Sequence, residues 1–439
     1  MKRYCVIGEK LGHTLSPKIH ALYFGKTGID GSYGAVELPR ESMENARGFL
    51  SGYEGVNVTI PYKQTVIGSL DGLSDEARGI GAVNTVFNDG GKLIGYNTDP
   101  FGFTAMLASR GLGNVRGRKA YVLGYGGAAR SVLYALKKGG ADVTVVSRDP
   151  VEAGKDGYRA ISYAELGRES GYLLVNATPV GMYPREGASP VGADVIKNFD
   201  VLADLVYNPM LTEFLSIGLS LGKRAVGGLY MLVAQAVGSQ RIWQGRKHTK
   251  RLIDGIYLEL SKDVFAENGN IWLVGMPGSG KSTLGAAIAE YTGRRFVDAD
   301  GYIVKINDGM TIAEMFRKGE DFFRGKESEA MARLAREKGL VIATGGGCIE
   351  REANVDCMRL SGIAVYIDRP VGAIAADVDC ASRPLLADGP QRIAALYDRR
   401  KDKYLAAGQV RVKNTAGKRA ALGRLSRACS FAKNTGRTL

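Results

Sequence analysis

The sequence has little cysteine and little histidine, and it lacks long apolar runs. Its five cysteines are scattered without a C-x-x-C pair, and there are three histidines. This argues against a disulfide framework or a zinc centre and favours free thiols in a reducing cytoplasm. No stretch reaches the roughly 18 apolar residues of a membrane span, and the N-terminus runs directly into a strand pattern. We therefore expect neither a membrane segment nor a secretory signal.

Acidic residues are absent from the C-terminal end of the chain. The 439 residues carry a net charge of +14, and no Asp or Glu occurs from Lys403 to Leu439. Elsewhere the basic residues are dispersed, without a stripe of aromatic and basic side chains. This pattern favours anionic small-molecule ligands over nucleic acid. The length suggests two or three domains, and 45% hydrophobic residues suffice for sizeable cores.

A phosphate-binding loop pattern occupies residues 275–282, with two glycines separated by four residues and followed by Lys and Ser. It stands between a predicted strand at 270–274 and a predicted helix at 283–290. Backbone N–H groups and the dipole of such a helix bind phosphates, while the lysine supplies charge and the serine can reach Mg²⁺. The residues that we expect to bind the nucleotide are Gly278, Gly280, Lys281, Ser282 and Thr283.

A second glycine cluster lies between a predicted strand at 119–123 and a predicted helix. It departs from G-x-G-x-x-G because Ala129 takes the last glycine's place, but its position indicates a Rossmann-like dinucleotide domain. After the next predicted strand, at 142–146, Arg148 favours NADP and the adjacent Asp149 argues against it. The glycines that we expect against the dinucleotide are Gly124, Gly126 and Gly127.

Residues 1–100 alternate between short strands and helices. Strands are predicted at 4–8, 55–61 and 81–87, and the last is followed by a hairpin turn. Ser16 and Pro17 predict the start of a helix, with Ser16 as the N-cap and Pro17 at the first helical position.

Lys63 and Asp99 each follow a predicted strand, and ligands gather at strand ends in α/β sheets. A Lys–Asp pair there can exchange a proton with a carbonyl or alcohol oxygen while a nicotinamide transfers hydride. By spacing alone, an ordinary surface ion pair is the simpler interpretation.

Seven ordered segments together resemble shikimate dehydrogenase over about residues 1–262. They are residues 12–17, 57–63, 81–85, 97–99, 124–130, 176–179 and 232–235. The resemblance implies an α/β substrate domain at 1–102 and about 230–262, and a Rossmann-like NADP domain at 103–229. It also implies that Lys63 and Asp99 are the catalytic pair.

The same resemblance assigns binding residues. It implies that the substrate's carboxylate and hydroxyls are held by Thr14, Ser16, Asn57, Thr59, Asn84, Tyr207 and Gln235. It implies that the dinucleotide is held by Gly124, Gly126, Gly127 and Arg148. The chain departs from the family at Thr14, where Ser is more frequent and quinate tolerance could follow. It also departs at Ser147 and Asp149, which replace Asn and Thr, and at Glu152, where a basic residue often grips the 2′-phosphate.

Candidate residues for phosphoryl transfer follow the phosphate loop. Asp298 and Asp300 stand at a predicted strand end, where they suit a magnesium site and the orientation of an acceptor hydroxyl. Arg324 and Arg400 offer guanidinium forks for an anionic acceptor. Arg383 lies in a loop that could close over phosphates, although each arginine alone could be an ordinary surface residue.

In combination these residues resemble shikimate kinase over about residues 270–430. The matching features are the phosphate loop, 298–300, 323–324 with Glu327, the turn at 345–347, 383–386, and Arg400 four residues before Tyr404. The resemblance implies a P-loop α/β kinase domain at 271–430, after a linker at 263–270. The chain departs at Asp402 and Lys403, where the family has Pro and Leu, and at Ala376, where an arginine near adenine is frequent.

The kinase resemblance also implies residue roles. Contacts to shikimate are implied for Asp300, Arg324, Gly346, Gly347 and Arg400. Ser282 and Asp298 would serve Mg²⁺, and Lys281 and Arg383 would contact the phosphates of ATP.

We therefore hypothesise a cytoplasmic, bifunctional α/β enzyme without nucleic-acid or membrane partners. It would reduce 3-dehydroshikimate to shikimate with NADPH and then phosphorylate the 3-hydroxyl of shikimate with MgATP. One alternative is a quinate/shikimate dehydrogenase fused to a kinase for another small hydroxyl acid. Another is a nucleotide-sensing or RNA-binding protein built on retired enzyme folds.

Overall fold

A computed structural model describes residues 1–12, 14–377, 390–415 and 417–430. Its described part forms three β-sheets with helices between the strands, so the prediction of an α/β protein is confirmed. The chain divides into two compact units. The N-terminal unit comprises Met1–Leu215 and Val226–Leu260, and the C-terminal unit comprises Ser216–Ala225 and the described residues from Ser261 onward. No described helix has the length and apolar character needed to cross a membrane.

The first sheet is mixed. Its strands are β1 Lys2–Gly8, β2 Gly31–Glu37, β3 Gly55–Val58, β4 Gly72–Leu73, β5 Thr85–Asp89 and β6 Lys92–Tyr96. The spatial order is β2-β1-β3-β5-β6-β4, in which β5 is antiparallel to both β3 and β6. The helices of this region are α1 Ser16–Thr27, α2 Ala46–Ser51, α3 Asp75–Ile80 and α4 Asp99–Ser109, with 3₁₀ turns at Arg40–Asn45 and Thr65–Ser69. Alternate apolar residues of β1 and β3, such as Ile7 and Val56, form its buried core.

The second sheet has the order β12-β11-β10-β7-β8-β9, with β7 near its centre. Its strands are β7 Lys119–Leu123, β8 Asp142–Val146, β9 Arg159–Ile161, β10 Gly171–Asn176, β11 Phe199–Asp204 and β12 Arg224–Gly227. The pairings of β7 with β8 and β10, of β8 with β9 and of β10 with β11 are parallel. The helices along this stretch are α5 Gly127–Lys138, α6 Pro150–Lys155, α7 Tyr163–Leu166, α8 Ala193–Ile196 and α9 Glu213–Ser220. This is the doubly wound order of a Rossmann-like domain.

Two helices follow the second sheet, α10 Leu229–Gln244 and α11 Lys250–Val264. Helix α10 returns to the first sheet's region and packs closely along α4. Glycine allows this approach, since a Cβ on Gly102 would lie 2.8 Å from the carbonyl oxygen of Met231. Trp243 anchors the end of α10 by donating from Nε1 to the carbonyl of Val86 at 2.9 Å. Residues near the end of the N-terminal unit are thereby placed beside residues from its beginning.

The third sheet is parallel, with the order β14-β15-β13-β16-β17. Its strands are β13 Asn270–Val274, β14 Arg295–Asp298, β15 Leu340–Ala343, β16 Gly362–Asp368 and β17 Val410–Lys413. The helices are α12 Lys281–Thr292, α13 Ala299–Ile306, α14 Ile312–Arg317, α15 Glu320–Arg336, α16 Glu352–Ser361, α17 Val371–Asp377, α18 Pro390–Ala407 and α19 Gly417–Ala428, with a 3₁₀ turn at Cys348–Glu350. Every residue of the central strand β13 is buried, as its apolar run predicts.

Three local predictions differ from the structure. The strand predicted at 55–61 ends at Val58, and the strand predicted at 81–87 begins only at Thr85. Ser16 is not the N-cap of α1, because Leu15 holds that position and Ser16 is already helical. The hydroxyl at this helix start belongs to Thr14, whose Oγ1 accepts from the backbone N–H of Ser16 at 3.3 Å. The sequence also predicts disorder for the final ten residues, and those from 431 onward lie outside the described residues.

Two candidate active sites

Lys63 and Asp99 form an ion pair in the N-terminal unit. The Nζ of Lys63 donates to Oδ2 of Asp99 at 2.7 Å, and the two side chains are 17% and 8% exposed. Lys63 lies in the turn that follows β3, and Asp99 is the first residue of α4. Two charges held together with so little exposure interact more strongly than a solvated surface pair. The alternative of an ordinary surface ion pair therefore does not fit.

Asn84 sets the orientation of Asp99. Its Nδ2 donates to Oδ1 of Asp99 at 2.8 Å, while its own Oδ1 accepts from the backbone N–H of Thr98 at 2.8 Å. A backbone N–H can only donate, so this contact decides which end of the amide faces Asp99. Both carboxylate oxygens of Asp99 are consequently engaged, one by Lys63 and one by Asn84.

The pair opens into a cavity of about 180 Å³. The predicted residues that line it are Ser16, Asn57, Thr59, Lys63, Asn84, Asp99, Tyr207 and Gln235. Thr14 is joined to this set because its hydroxyl donates to Oγ of Ser16 at 3.2 Å. The lining also includes residues that were given no role from the sequence, namely Val6, Val58, Ala128, Leu205, Gly228, Met231 and Leu232. They are apolar side chains or glycine, and their residue types carry no chemical signal in a sequence.

A buried network holds Asn57 at the cavity wall. Its Oδ1 accepts from the hydroxyl of Tyr33 at 2.7 Å, and its Nδ2 donates to Ser239 at 2.8 Å and to Thr85 at 3.1 Å. Tyr33 stacks on His20 with ring centroids 3.8 Å apart. Burial lowers the pKa of His20 to about 3, so this ring is neutral. These supporting residues were not predicted, because their distance along the chain hides a contact that only the fold creates.

The predicted dinucleotide loop adjoins the same cavity. Gly124 has a φ of +96°, and a Cβ there would lie 2.9 Å from Cγ2 of Thr178. Gly126 is the N-cap of α5, and Gly127 begins that helix. A Cβ on Gly127 would lie 3.9 Å from Cδ of Lys63. The N–H groups of a helix start, which suit a pyrophosphate, are thus adjacent to the Lys–Asp pair.

Arg148 and Asp149 follow β8 and differ in their local bonding. Arg148 is exposed, whereas Asp149 is the N-cap of α6 and accepts from the backbone N–H of Val151 at 3.1 Å. Glu152 faces Arg130, with Oε1 and Nη2 separated by 3.5 Å. Each of the two acidic residues therefore has a local partner.

The phosphate loop of the C-terminal unit curves around Lys281. Its glycines have left-handed φ angles, 80° at Gly278 and 93° at Gly280, which favour glycine. Lys281 is the first residue of α12 and is 8% exposed. Its Nζ donates to the carbonyls of Gly275 and Met276, both at 2.9 Å. The loop geometry is that of an anion cradle at a helix start.

Ser282 and Asp298 lie side by side next to this loop. The Ser282 hydroxyl donates to Oδ2 of Asp298 at 2.9 Å, and Thr283 follows in the same exposed first turn of α12. The other oxygen of Asp298 caps α13 by accepting from the backbone N–H groups of Asp300 and Gly301. Mg²⁺ binds through one or two carboxylates together with waters and substrate phosphates, so this pair fits Mg²⁺. Within the described residues, no cluster of three or more His, Cys, Asp or Glu side chains forms a larger metal site.

A glycine turn after β15 packs against two predicted acceptor-binding side chains. A Cβ on Gly345 would lie 2.8 Å from Oδ1 of Asp300, and one on Gly347 would collide with the guanidinium of Arg324. Arg324 is 4% exposed and donates from Nη1 to Oε2 of Glu327 at 2.8 Å. Burial raises the pKa of Glu327, and the facing charge of Arg324 opposes that rise. Glycine at both positions leaves room for these groups where they now lie, and any larger residue would have to displace them.

Gly346 connects the phosphate loop with helix α18. A Cβ on Gly346 would lie 2.7 Å from Cδ of Pro277 in the phosphate loop, and its carbonyl accepts from the Tyr404 hydroxyl at 2.5 Å. Arg400, one turn before Tyr404, is fully buried and donates from Nε to Glu350 at 2.7 Å. The glycine turn after β15 therefore lies next to the phosphate loop, which is predicted to bind ATP, and next to the helix that carries Arg400, which is predicted to bind the acceptor. Arg383 and the predicted loop at 383–386 lie outside the described residues.

The two units thus define a class of protein, a dinucleotide-dependent oxidoreductase joined to a P-loop phosphotransferase. The sequence model described as the shikimate dehydrogenase substrate binding domain matches residues 6–86, and the shikimate kinase model matches residues 277–427. The chain belongs to the shikimate dehydrogenase family, and it also carries a shikimate kinase domain.

Curated relatives match the dehydrogenase portion along nearly their whole length. The shikimate dehydrogenase (NADP(+)) of Clostridium beijerinckii is 43% identical over 265 residues, which are 58% of this chain and 97% of that relative. A Thermus thermophilus enzyme of the same name is 39% identical over 250 residues, covering 56% of this chain and 93% of the relative.

Solved structures agree with this assignment. Shikimate dehydrogenase 1 from Peptoclostridium difficile has a TM-score of 0.56 at 42% identity, covering 60% of this chain and 99% of its own. A chorismate mutase/shikimate 5-dehydrogenase fusion protein from Clostridium acetobutylicum has a TM-score of 0.58 at 41% identity, covering 60% and 98%. A Thermus thermophilus shikimate 5-dehydrogenase in complex with NADP(H) and shikimate has a TM-score of 0.54 at 36% identity, covering 59% and 99%.

Proposed function

We propose that this chain catalyses two consecutive reactions of the shikimate pathway. The N-terminal unit reduces 3-dehydroshikimate to shikimate with NADPH, and the C-terminal unit phosphorylates the 3-hydroxyl of shikimate with MgATP. The observation that carries the proposal is the Lys63–Asp99 pair in a cavity that is lined by polar and apolar side chains and includes Ala128 of the dinucleotide helix α5. Membership of the shikimate dehydrogenase family and the shikimate kinase domain support it.

In the first reaction, the chain's task is to place a proton beside the substrate ketone. NADPH, when bound, supplies the hydride to the ketone carbon. Lys63 donates a proton to the carbonyl oxygen, which becomes the hydroxyl, and Asp99 holds the ammonium group in place. The substrate-binding residues in this proposal are Thr14, Ser16, Asn57, Thr59, Asn84, Tyr207 and Gln235.

For the cofactor, we propose that Gly124, Gly126 and Gly127 contact the pyrophosphate and that Arg148 binds the 2′-phosphate of NADP. The acidic neighbour Asp149 does not oppose this, because its side chain caps α6. A guanidinium group matches phosphate geometry and stays charged, so an exposed arginine here favours NADP over NAD.

In the second reaction, ATP supplies the phosphoryl group and Mg²⁺ offsets its negative charge. We propose that Ser282 and Asp298 bind the ion and that Lys281 and Arg383 contact the phosphates, together with Gly278, Gly280 and Thr283. Asp300 orients the acceptor hydroxyl. The acceptor's remaining contacts in this proposal come from Arg324, Gly346, Gly347 and Arg400.

The proposal extends to organisation and setting. Residues 1–102 with about 230–262 form the substrate domain, 103–229 the NADP domain and 271–430 the kinase domain, with a linker at 263–270. The close packing of α10 on α4 supports the return of the chain to the substrate domain. The four described cysteines are buried free thiols, which fits a reducing cytoplasm. In this proposal the protein binds small-molecule substrates and does not bind nucleic acid.

A coupled assay from 3-dehydroshikimate, NADPH and MgATP to shikimate 3-phosphate tests the proposal. Lys63→Ala should abolish NADPH oxidation and leave phosphorylation of added shikimate intact. Lys281→Ala should have the opposite pattern. Exposed lysines provide matched controls, Lys92→Ala in the first unit and Lys305→Ala in the second. Loss of both reactions in either active-site variant would contradict the two-site proposal.

The alternatives are separated by substrate choice. Quinate oxidation equal to or better than shikimate oxidation, with NAD or NADP, would favour the quinate/shikimate dehydrogenase. Absence of shikimate phosphorylation together with RNA binding that weakens steeply with salt would favour the retired-enzyme alternative.

A further inference from the structure

Arg400 is a fully buried arginine that is only partly hydrogen-bonded. Its Nε donates to Oε1 of Glu350 at 2.7 Å. Its Nη1 and Nη2 are buried and lack a hydrogen-bond partner among the residues that the structure describes. Buried donors without partners are costly, especially on a charged group. The two free Nη groups form the end-on fork that pairs with a carboxylate.

Glu350 reaches this arginine without occupying the fork. Its Oε2 accepts from Nζ of Lys403 at 2.5 Å, and Arg399 lies 3.6 Å from Oε1. An unrestrained carboxylate beside a guanidinium favours two parallel hydrogen bonds, which would join Nε and one Nη group. The contact with Lys403 draws the second oxygen away from that arrangement.

We propose that Lys403 is a positioning residue for the kinase acceptor. By occupying one oxygen of Glu350, Lys403 limits Glu350 to a single hydrogen bond with Arg400 and keeps both Nη groups available for the acceptor's carboxylate. The inference rests on the proposed function, because it assumes a carboxylated acceptor such as shikimate. Lys403 itself need not touch that acceptor.

The charges around Glu350 agree with this role. Burial alone would raise the pKa of Glu350, but the hydrogen bonds from Lys403 and Arg400 lower it to about 2. Glu350 is therefore ionised at neutral pH and cancels one positive charge. With Lys403 present, the Glu350–Arg400–Lys403 group keeps a net positive charge for an anionic acceptor. Without Lys403, Glu350 and Arg400 would sum to zero charge, leaving only the exposed Arg399 nearby, and Glu350 would compete with the substrate for Arg400.

The leucine that the kinase family has at position 403 cannot donate a hydrogen bond to Glu350 as Lys403 does. In this chain a charged lysine stands at position 403 instead of the uncharged leucine, and it forms an ion pair with Glu350, the partner of Arg400. The departure from the kinase pattern therefore has a physical role in this chain, and it involves two residues that lie 53 positions apart.

Kinase kinetics of the full chain test the proposal. Lys403→Met should raise KM for shikimate by about tenfold, the scale of one charge-assisted hydrogen bond, with little change in kcat or in KM for ATP. KM for the methyl ester of shikimate should not change, because the ester lacks the carboxylate. The control is Lys401→Met on the same helix, since Lys401 faces the exposed Asp398 and not Glu350.

A double-mutant cycle separates positioning from other roles. In a Glu350→Gln background the effect of Lys403→Met should vanish, because the side chain that Lys403 restrains no longer competes for Arg400. An equal loss in both backgrounds, or an unchanged KM in the single variant, would overturn the proposal.

A crystal structure of Lys403→Met provides a readout that does not depend on activity. Glu350 should then accept from both Nε and an Nη group of Arg400, and a pair that keeps its single bond would contradict the inference. If the wild-type chain did not phosphorylate shikimate, the proposed function would fail while this structural outcome would still decide the role of Lys403.

Discussion

Asn84 and Lys63 donate hydrogen bonds to different oxygens of the Asp99 carboxylate. The amide of Asn84 donates to Oδ1, and the ammonium of Lys63 donates to Oδ2. The amide is itself fixed by the backbone of Thr98. Asp99 therefore cannot rotate without breaking a bond at each oxygen, and Lys63 is held toward the cavity. The position of Lys63, the proposed proton donor, therefore depends on a residue that carries no charge.

Asn84→Ala should lower kcat for 3-dehydroshikimate reduction by about tenfold to a hundredfold, because misplacement of a reacting group by about 1 Å has effects of this size. Steady-state NADPH oxidation measures it. The control Asn88→Ala removes an amide that lies outside the cavity. In the described part of the chain, that amide donates to the carbonyls of Ser51 and Tyr53 and accepts from the backbone N–H of Gly91. A kcat for Asn84→Ala equal to that of the control would show that Asp99 keeps its orientation without Asn84.

Arg148→Leu should raise KM for NADPH by roughly tenfold to a hundredfold and leave KM for NADH unchanged, since a charge-assisted hydrogen bond contributes about 1.5–3 kcal/mol. The companion variant Asp149→Ser keeps an N-cap side chain for α6 and should bind NADPH at least as well as the wild type. Equal losses with NADPH and NADH in Arg148→Leu would mean that Arg148 does not distinguish the two cofactors.

Asp298→Asn should raise the Mg²⁺ concentration needed for half-maximal kinase activity by about tenfold, because an amide binds the ion more weakly than a carboxylate does. Asn caps a helix as well as Asp does, so α13 should remain intact. Titration of kinase activity with Mg²⁺ at saturating ATP measures the shift. The exposed Asp398→Asn serves as the control, and a Mg²⁺ curve that matches this control would place the ion elsewhere.

Asp204 makes stability depend on pH. Burial raises its pKa to about 7, against the partly opposing hydrogen bonds from Thr212, Val206 and Asn176. Between about pH 4 and pH 7 the folded state therefore holds a proton that the unfolded chain has released, so this group destabilises the fold as pH rises. The cost is complete above about pH 7 and is on the order of 4 kcal/mol.

Asp204→Asn should remove this dependence. The free energy of unfolding of the variant, relative to the wild type, should increase from pH 4 to pH 7 and then level off. Urea titrations with amide exchange in β11 as the probe measure the difference, and the exposed Asp142→Asn is the control. A difference that stays constant across that range would show that Asp204 is ionised when folded.

The sequence predicted the fold class and both families because the diagnostic residues lie in short segments at strand ends. Gly124 and Gly280 have backbone angles that favour glycine, so local pattern and local structure coincide there. Ser16 was misassigned as an N-cap because a hydroxyl two residues earlier, on Thr14, makes the contact instead.

Residues that act through tertiary contacts were not predictable in the same way. Ser239 supports Asn57 from 182 positions away, and only the packing of α10 brings them together. Lys403 departs from the kinase pattern in the sequence, but spacing along the chain does not identify Glu350 as its partner. The identity of such partners depends on how helices lie against one another, which no local pattern encodes.

Gly346 touches Pro277 of the phosphate loop on one side and receives Tyr404 of the helix that carries Arg400 on the other. A methyl group at this position would displace Pro277, so Gly346→Ala would separate the phosphate loop from the helix that carries Arg400. The proposed donor contacts and the proposed acceptor contacts are thus coupled through a single peptide unit.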